Sequence, residues 1–177
     1  DDDYLIRFMS SQPKDASYKL FDTMAQSRHV AHQLHLPVQS GSDRVLRAMN
    51  RPYDRAKYLD LIGYARKVMP DLVLTSDVII GFPGETEAEA METVDLVRQV
   101  EFDALFTFIF SPRPGTPAAR MDDPVPRAEK EALCSATLRW YPCKWSFHER
   151  EYLRPDFHQN LVFTHSLTGN HAYPTNS

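Results

Sequence analysis

Four polar clusters in this chain each follow a short apolar run: Ser10-Ser11-Gln12-Pro13, Gln39-Ser40-Gly41-Ser42, the stretch from Asp77 to Glu85, and Ser111-Pro112-Arg113-Pro114-Gly115-Thr116. In the second cluster a glycine stands between two serines. It lets backbone approach a ligand closely, while hydroxyls and amides bind a sugar or a carboxylate. The same residues equally suit a helix start, with Ser40 or Ser42 as N-cap and Gly41 for the turn. In the third cluster Asp77 interrupts an apolar strand pattern and shares a face with Val73, Thr75 and Ile79. A buried carboxylate needs a hydrogen-bond or charge partner, such as a neighbouring arginine. Gly81-Phe82-Pro83-Gly84-Glu85 then makes a tight strand-to-helix turn that matches neither common phosphate-binding glycine pattern. Glu85 itself reads as a charge complementing the dipole of the helix it precedes.

Arg44, Arg47, Arg51 and Arg55 bias the region after the second run positively, and Arg113, Arg120 and Arg127 do so after the fourth. Such arginines meet phosphates when they face a site and are otherwise solvated helix residues. The seven histidines form no metal-ligand set. His29, His32 and His35 are spaced by three, but His32 and His35 fall in or beside a predicted strand, so all three read as surface or packing residues. Cys134 and Cys143 lack the spacing of a zinc or redox motif.

The elements that must position these clusters repeat as a run followed by a helix. Run 5–9 precedes a helix over 16–26. In run 34–40, Leu34, Leu36 and Val38 share one face and His35, Pro37 and Gln39 the other. A short helix over 43–50 and a longer one over 54–68 follow. Run 72–81 is apolar on both sides of its Thr-Ser-Asp centre, which suits a parallel strand covered on both faces. Thr86 and Glu89 have capping-box form and open a helix to about residue 100. Run 104–111 and a helix over 126–139 complete the series. Four such units predict a parallel α/β sheet, either half of an eight-fold barrel or an open doubly wound sheet. Residues 142–177 show no sustained period and read as an irregular tail.

Composition narrows the class. The chain has 177 residues, 42% hydrophobic and 25% charged, which argues against a disordered protein. Its length fits a single domain. No stretch approaches the ~20 apolar residues of a membrane span, so no membrane partner is expected. The N-terminal Asp1-Asp2-Asp3-Tyr4 is not a secretion signal and reads as the middle of a longer chain. A net charge of −4 gives no global attraction to nucleic acid.

The clusters, in this order, resemble the radical S-adenosylmethionine (SAM) methylthiotransferases, most closely their tRNA-modifying branch. The carrying stretches are Ile6-Arg7-Phe8-Met9-Ser10-Ser11-Gln12-Pro13-Lys14-Asp15, His35-Leu36-Pro37-Val38-Gln39-Ser40-Gly41-Ser42-Asp43-Arg44-Val45-Leu46, Met49-Asn50-Arg51, Ser76-Asp77-Val78-Ile79-Ile80-Gly81-Phe82-Pro83-Gly84-Glu85-Thr86, and Phe106 through Ala119. The ribosomal-protein branch differs at the first two of these stretches. The threonylcarbamoyladenosine-modifying branch is a nearer rival.

The resemblance implies a (βα) TIM-type barrel, with residues 1–141 as the C-terminal half of the core, strands three to six. It implies SAM lying across the strand ends. Gln39 matches a polar SAM contact on the fourth barrel strand, with Ser40 a further contact. Arg51 matches an arginine that reaches the methionyl or ribose part. Asp77 matches an acidic SAM position on the fifth strand, and the turn from Gly81 to Glu85 borders the adenine. It further implies methylthiolation at C2 of N6-isopentenyladenosine in tRNA, sulfur and electron donors, and a cytoplasmic setting. That chemistry runs on a [4Fe–4S] cluster held by three clustered thiolates, and the chain holds two cysteines in all. The expectation is therefore a chain inactive alone. A non-catalytic SAM- or RNA-binding module is the alternative. Bare edges of a half-barrel predict self-association.

Overall fold

The computed structural model describes residues 4–9 and 12–139. The chain divides into two units, Asp1–Lys144 and Trp145–Ser177, and every described residue belongs to the first. The expected tail, residues 142–177, lies outside the described residues.

Three strands form a parallel sheet in the order β1 (Gln33–His35), β2 (Val73–Ile80) and β3 (Ala104–Ile109). Helices connect them: α1 (Tyr18–Gln26) precedes β1, α2 (Asp43–Ala48) and α3 (Arg55–Val68) join β1 to β2, and α4 (Glu87–Val100) joins β2 to β3. A short 3₁₀ turn, Pro117–Arg120, and α5 (Arg127–Arg139) follow. The chain is α/β, in the form of a partial barrel.

Side-chain oxygens set the helix starts. Ser17 accepts from the Leu20 N–H, and Asp54 accepts from the Lys57 N–H at 2.7 Å. Thr86 and Glu89 complete the capping box in both directions, satisfying N–H groups that would otherwise lack partners. Glu101, in the left-handed region at φ 52°, ends α4.

The alternation in the second run is realised in full. Leu34, Leu36 and Val38 are completely buried against α3, with Tyr58, Leu61 and Ala65 in the same cluster. On β2, Leu74, Ser76, Val78 and Ile80 are buried, while Val73, Thr75, Asp77 and Ile79 are half-buried. Among the described residues, then, β2 is covered by helices on one face only. The expectation of two covered faces fails because its odd-numbered side chains face the open interior of a partial barrel.

The first run also departs from expectation. Residues 5–9 form no strand; Ile6 makes a single parallel bridge to Val30, through Ile6 N–H to the His29 carbonyl at 2.6 Å and Ala31 N–H to the Ile6 carbonyl at 3.0 Å. Leu5, Ile6 and Met9 stay about half exposed or more. A strand requires cover for its faces, and these side chains find little.

Between β1 and β2 the ladder breaks and resumes one residue out of step. Gln33 pairs with Val73 and His35 with Thr75, but Gln39 pairs with Val78. One extra residue is thus spent on the β1 side, as in a β-bulge. Pro37 has no N–H to give the ladder. The Ser76 hydroxyl bridges the gap, donating to the Leu36 carbonyl at 2.9 Å and accepting from the Val38 N–H at 3.0 Å. Gln39 closes the bulge at φ 70°, a left-handed conformation that only glycine adopts without cost.

Candidate functional site

Three of the six residues singled out from the sequence meet at one cavity. It measures about 230 Å³ and is lined by Gln12, Pro13, His35, Pro37, Gln39, Arg51 and Asp77. Ser10 and Ser11 lie outside the described residues. The bulge puts Gln39 at the cavity. Asp77 reaches it from the half-buried face of β2. Arg51 is delivered by the end of α2. There Asn50 turns left-handed at φ 56°, its N–H meets the Arg47 carbonyl, and the Arg51 N–H meets the Leu46 carbonyl, both at 2.9 Å. That double closure is the Schellman ending of a helix, and it fixes the direction in which the arginine leaves the backbone.

Arg51 Nε is buried and has no hydrogen-bond partner among the described residues. A buried guanidinium nitrogen without an acceptor is costly, and a carboxylate is its best complement. Gln39 offers an amide and Asp77 a carboxylate to the same space. The set fits a ligand that has both a carboxylate and sugar hydroxyls.

Asp77 is not fully buried, and its partner is not an arginine. Its side chain is 27% exposed, and Oδ2 lies 3.5 Å from His35 Nε2. Reading His35 as an ordinary packing residue therefore missed a member of the cavity. Its signal was present: His35, Pro37 and Gln39 share one face of the run.

The other three residues are held elsewhere. The Ser40 hydroxyl is completely buried; it accepts from the Ser42 N–H and lies 3.4 Å from Thr93 Oγ1 on α4. Gly81 takes φ 74° and packs so close to Lys130 that an added Cβ would stand 2.5 Å from its side chain. Glu85 turns back on its own loop, where Oε2 accepts from Gly81 N–H at 2.5 Å and Phe82 N–H at 3.2 Å, leaving Oε1 buried and without a partner among the described residues. Burial pushes its carboxyl above the usual range despite those two bonds.

Gly41 is not in the left-handed region; its missing side chain lets the backbone approach α4 closely. An added Cβ would lie 2.5 Å from the Glu92 carbonyl oxygen and 2.6 Å from Thr93 Cα, both backbone atoms of α4. The Gly41 N–H donates to Thr93 Oγ1 at 2.8 Å. Ser42 occupies the N-cap position of α2 but makes no side-chain cap bond.

The flanking arginines act as staples. Arg44 pairs through Nε with Glu89 and donates from Nη2 to the Gly84 carbonyl at 2.6 Å. That pairing holds the Glu89 carboxyl down at about 2. Arg55 donates to the Glu92 carbonyl at 3.0 Å. They tie the starts of α2 and α3 to α4 and to the turn that precedes it.

The model of the Radical SAM superfamily matches residues 6–97 of this chain, a span that includes every residue lining the cavity. The chain belongs to the radical SAM superfamily. Among curated relatives it is 49% identical over 125 residues to the tRNA-2-methylthio-N(6)-dimethylallyladenosine synthase of Clostridium botulinum strain Hall, covering 71% of this chain and 28% of that protein. The enzyme of the same name from Symbiobacterium thermophilum is 51% identical over 126 residues, with 71% and 27% covered. That from Bifidobacterium longum subsp. infantis is 52% identical over 122 residues, with 69% and 25% covered. This radical SAM chain thus spans well under a third of the length of those relatives. Among solved structures, coproporphyrinogen III oxidase from Escherichia coli, described as a radical SAM enzyme, superposes with a TM-score of 0.62 at 22% identity. The match covers 73% of this chain and 30% of that one, and it supports the shared fold.

Radical SAM membership brings SAM and an iron–sulfur cluster as the superfamily's cofactors. The cavity's donor set fits the first. The cysteines do not fit the second. Two thiols cannot supply three ligands, Cys134 is buried in α5 with its thiol pushed up by burial, and Cys143 lies outside the described residues. Among the described residues no group of three or more His, Cys, Asp or Glu side chains could hold a metal ion. No helix among the described residues is long and apolar enough to cross a membrane.

Proposed function

We propose that this chain is part of a tRNA methylthiotransferase that adds a methylthio group at C2 of N6-isopentenyladenosine, and that it contributes the SAM-binding wall of the barrel. What carries the reading is the convergence of Gln39, Arg51 and Asp77 on one cavity, with Arg51 Nε buried and, among the described residues, lacking an acceptor. About half identity to the named synthases supports the choice of branch.

When bound, SAM supplies the adenosyl fragment whose reductive release starts the superfamily's chemistry. Arg51 pairs with the ligand's carboxylate through charge-assisted hydrogen bonds. Asp77 accepts from the ribose hydroxyls. The Gln39 amide both donates and accepts, which suits it to a polar group between those ends. Ser40, Gly81 and Glu85 shape the wall from behind: the serine ties the β1 loop to α4, and the Gly81–Glu85 turn sets the rim where an adenine would lie. The two thiols of this chain do not fit a [4Fe–4S] cluster. Alone, the chain binds SAM without turning it over. Residues 1–141 act as the half-barrel and residues 142–177 as an appended tail. The tRNA substrate, the sulfur and electron donors, the cytoplasmic setting and self-association complete the reading. A supporting feature for the last is that β3, among the described residues, has a sheet neighbour on one side only, with Phe108 49% exposed.

Calorimetry with SAM tests the site. Saturable binding is expected, weakened about tenfold or more by Arg51→Ala and by Asp77→Ala, the loss typical of hydrogen bonds to charged groups. Absence of binding, or binding indifferent to both substitutions, refutes it.

A further inference from the structure

His35 stands at the cavity with two side chains of β2 on its ring nitrogens. Nδ1 lies 2.9 Å from Thr75 Oγ1, and Nε2 lies 3.5 Å from Asp77 Oδ2. The arrangement follows from register: His35 and Thr75 are paired neighbours on β1 and β2, and Asp77 is the next residue of β2 on the same face. Phe106 presses on the ring at 70°, with centroids 6.4 Å apart, and the His35 side chain is only 11% exposed. The imidazole is thus fixed in plane and in reach.

A neutral imidazole carries one ring proton, and the two nitrogens must divide the roles of donor and acceptor. With the proton on Nδ1, the Nε2 lone pair would face a carboxylate oxygen, two acceptors opposed in a half-buried place. With the proton on Nε2, the Thr75 hydroxyl donates to Nδ1 and the ring N–H faces Asp77. The second arrangement leaves neither contact repulsive. The 3.5 Å separation is long for a direct bond, yet it keeps the ring N–H and the carboxylate within the reach of an ion pair.

We infer that His35 is a positioning residue: the Thr75 hydroxyl holds its neutral ring in the Nε2–H form, and that N–H orients the Asp77 carboxylate toward the sugar hydroxyls of an adenosine-type ligand. One carboxylate oxygen is then engaged by the ring, and the other is left to the ligand. The inference rests on the reading of the cavity as a SAM site.

Two measurements on the full chain test it separately from that reading. Long-range ¹H–¹⁵N spectra of histidine-labelled protein at mildly alkaline pH report the tautomer directly. His35 is expected to show a protonated Nε2 and an unprotonated Nδ1, and Thr75→Val is expected to produce a mixture. An Nδ1–H form in the unaltered chain overturns the inference. In calorimetry with SAM, His35→Leu is expected to weaken binding roughly tenfold. His35→Gln, whose amide keeps a donor near Asp77, should stay within about threefold of the unaltered chain. In an Asp77→Asn background, His35→Leu should add nothing further. Equal losses for the Leu and Gln variants, or full additivity with Asp77→Asn, overturn the positioning role. If the unaltered chain takes up no SAM, the site reading fails, and the tautomer alone decides the inference.

Discussion

Gly41→Ala should cost this protein more than its modest size suggests. The new methyl would stand 2.5, 2.6 and 2.8 Å from three backbone atoms of α4. No rotamer change relieves such a clash, because helix backbone is what it meets. Restoring ordinary contact at about 3.4 Å requires the loop and α4 to separate by roughly 0.9 Å. That displacement also stretches the bond from Gly41 N–H to Thr93 Oγ1, now 2.8 Å, in a buried setting. Overpacking of this kind costs up to about 3 kcal/mol, and a buried bond left unmade adds about 1. For a chain of this length the thermal midpoint should fall by about 10 °C. Urea denaturation followed by circular dichroism measures the loss, and an unchanged slope with denaturant would place it in stability alone. Gly63→Ala is the matched control. Gly63 lies on α3 with nothing within 4 Å of an added Cβ, so alanine there should stabilise by about 0.5–1 kcal/mol. A Gly41→Ala variant within about 0.5 kcal/mol of the unaltered chain would refute the reasoning, since surface substitutions stay in that range.

Two further outcomes are expected. The Arg44–Glu89 pair contributes stability that is fully present above the ordinary glutamate range and is lost as pH falls toward about 2, because the carboxyl is depressed in the folded chain. Arg44 is 49% exposed, so solvent screening leaves about 1 kcal/mol, and unfolding curves of Arg44→Met should converge with those of the unaltered chain at low pH. Gln39→Gly should relieve the left-handed strain at φ 70°; about 1–2 kcal/mol regained, less about 0.5–1 in added chain entropy, leaves a small net gain by denaturant titration while SAM binding weakens.

Much of the fold was readable because its signals are local. The capping box at Thr86 and Glu89, the alternation of Leu34, Leu36 and Val38, and the apolar stripe of α3 each act within a few residues. What was not readable depends on distant partners. Nothing near Gly41 says that Thr93 will press against it. Nothing near Ser40 says that its hydroxyl will be taken by α4 rather than by a ligand. The histidine spacing says nothing of His35's surroundings, which come from Thr75 and Asp77, some forty residues away. Residues 5–9 have the composition of a strand but form only one bridge, because pairing and cover are supplied from elsewhere in space.

The hydroxyl of Ser76 has one more consequence. By spanning the break at Pro37 it divides the β1–β2 seam into two short zippers, one from Gln33 to Leu36 and one at Gln39. The lower zipper is sealed beneath fully buried leucines. The upper one is secured by the Gln39 N–H to the Asp77 carbonyl and the Ile79 N–H to the Gln39 carbonyl. Opening it costs two backbone bonds beside the fully buried Val38 and Val78, against the longer run of bonds below. Amide exchange should therefore be graded along the seam, fast at Gln39 and Ile79 and slow at Leu36.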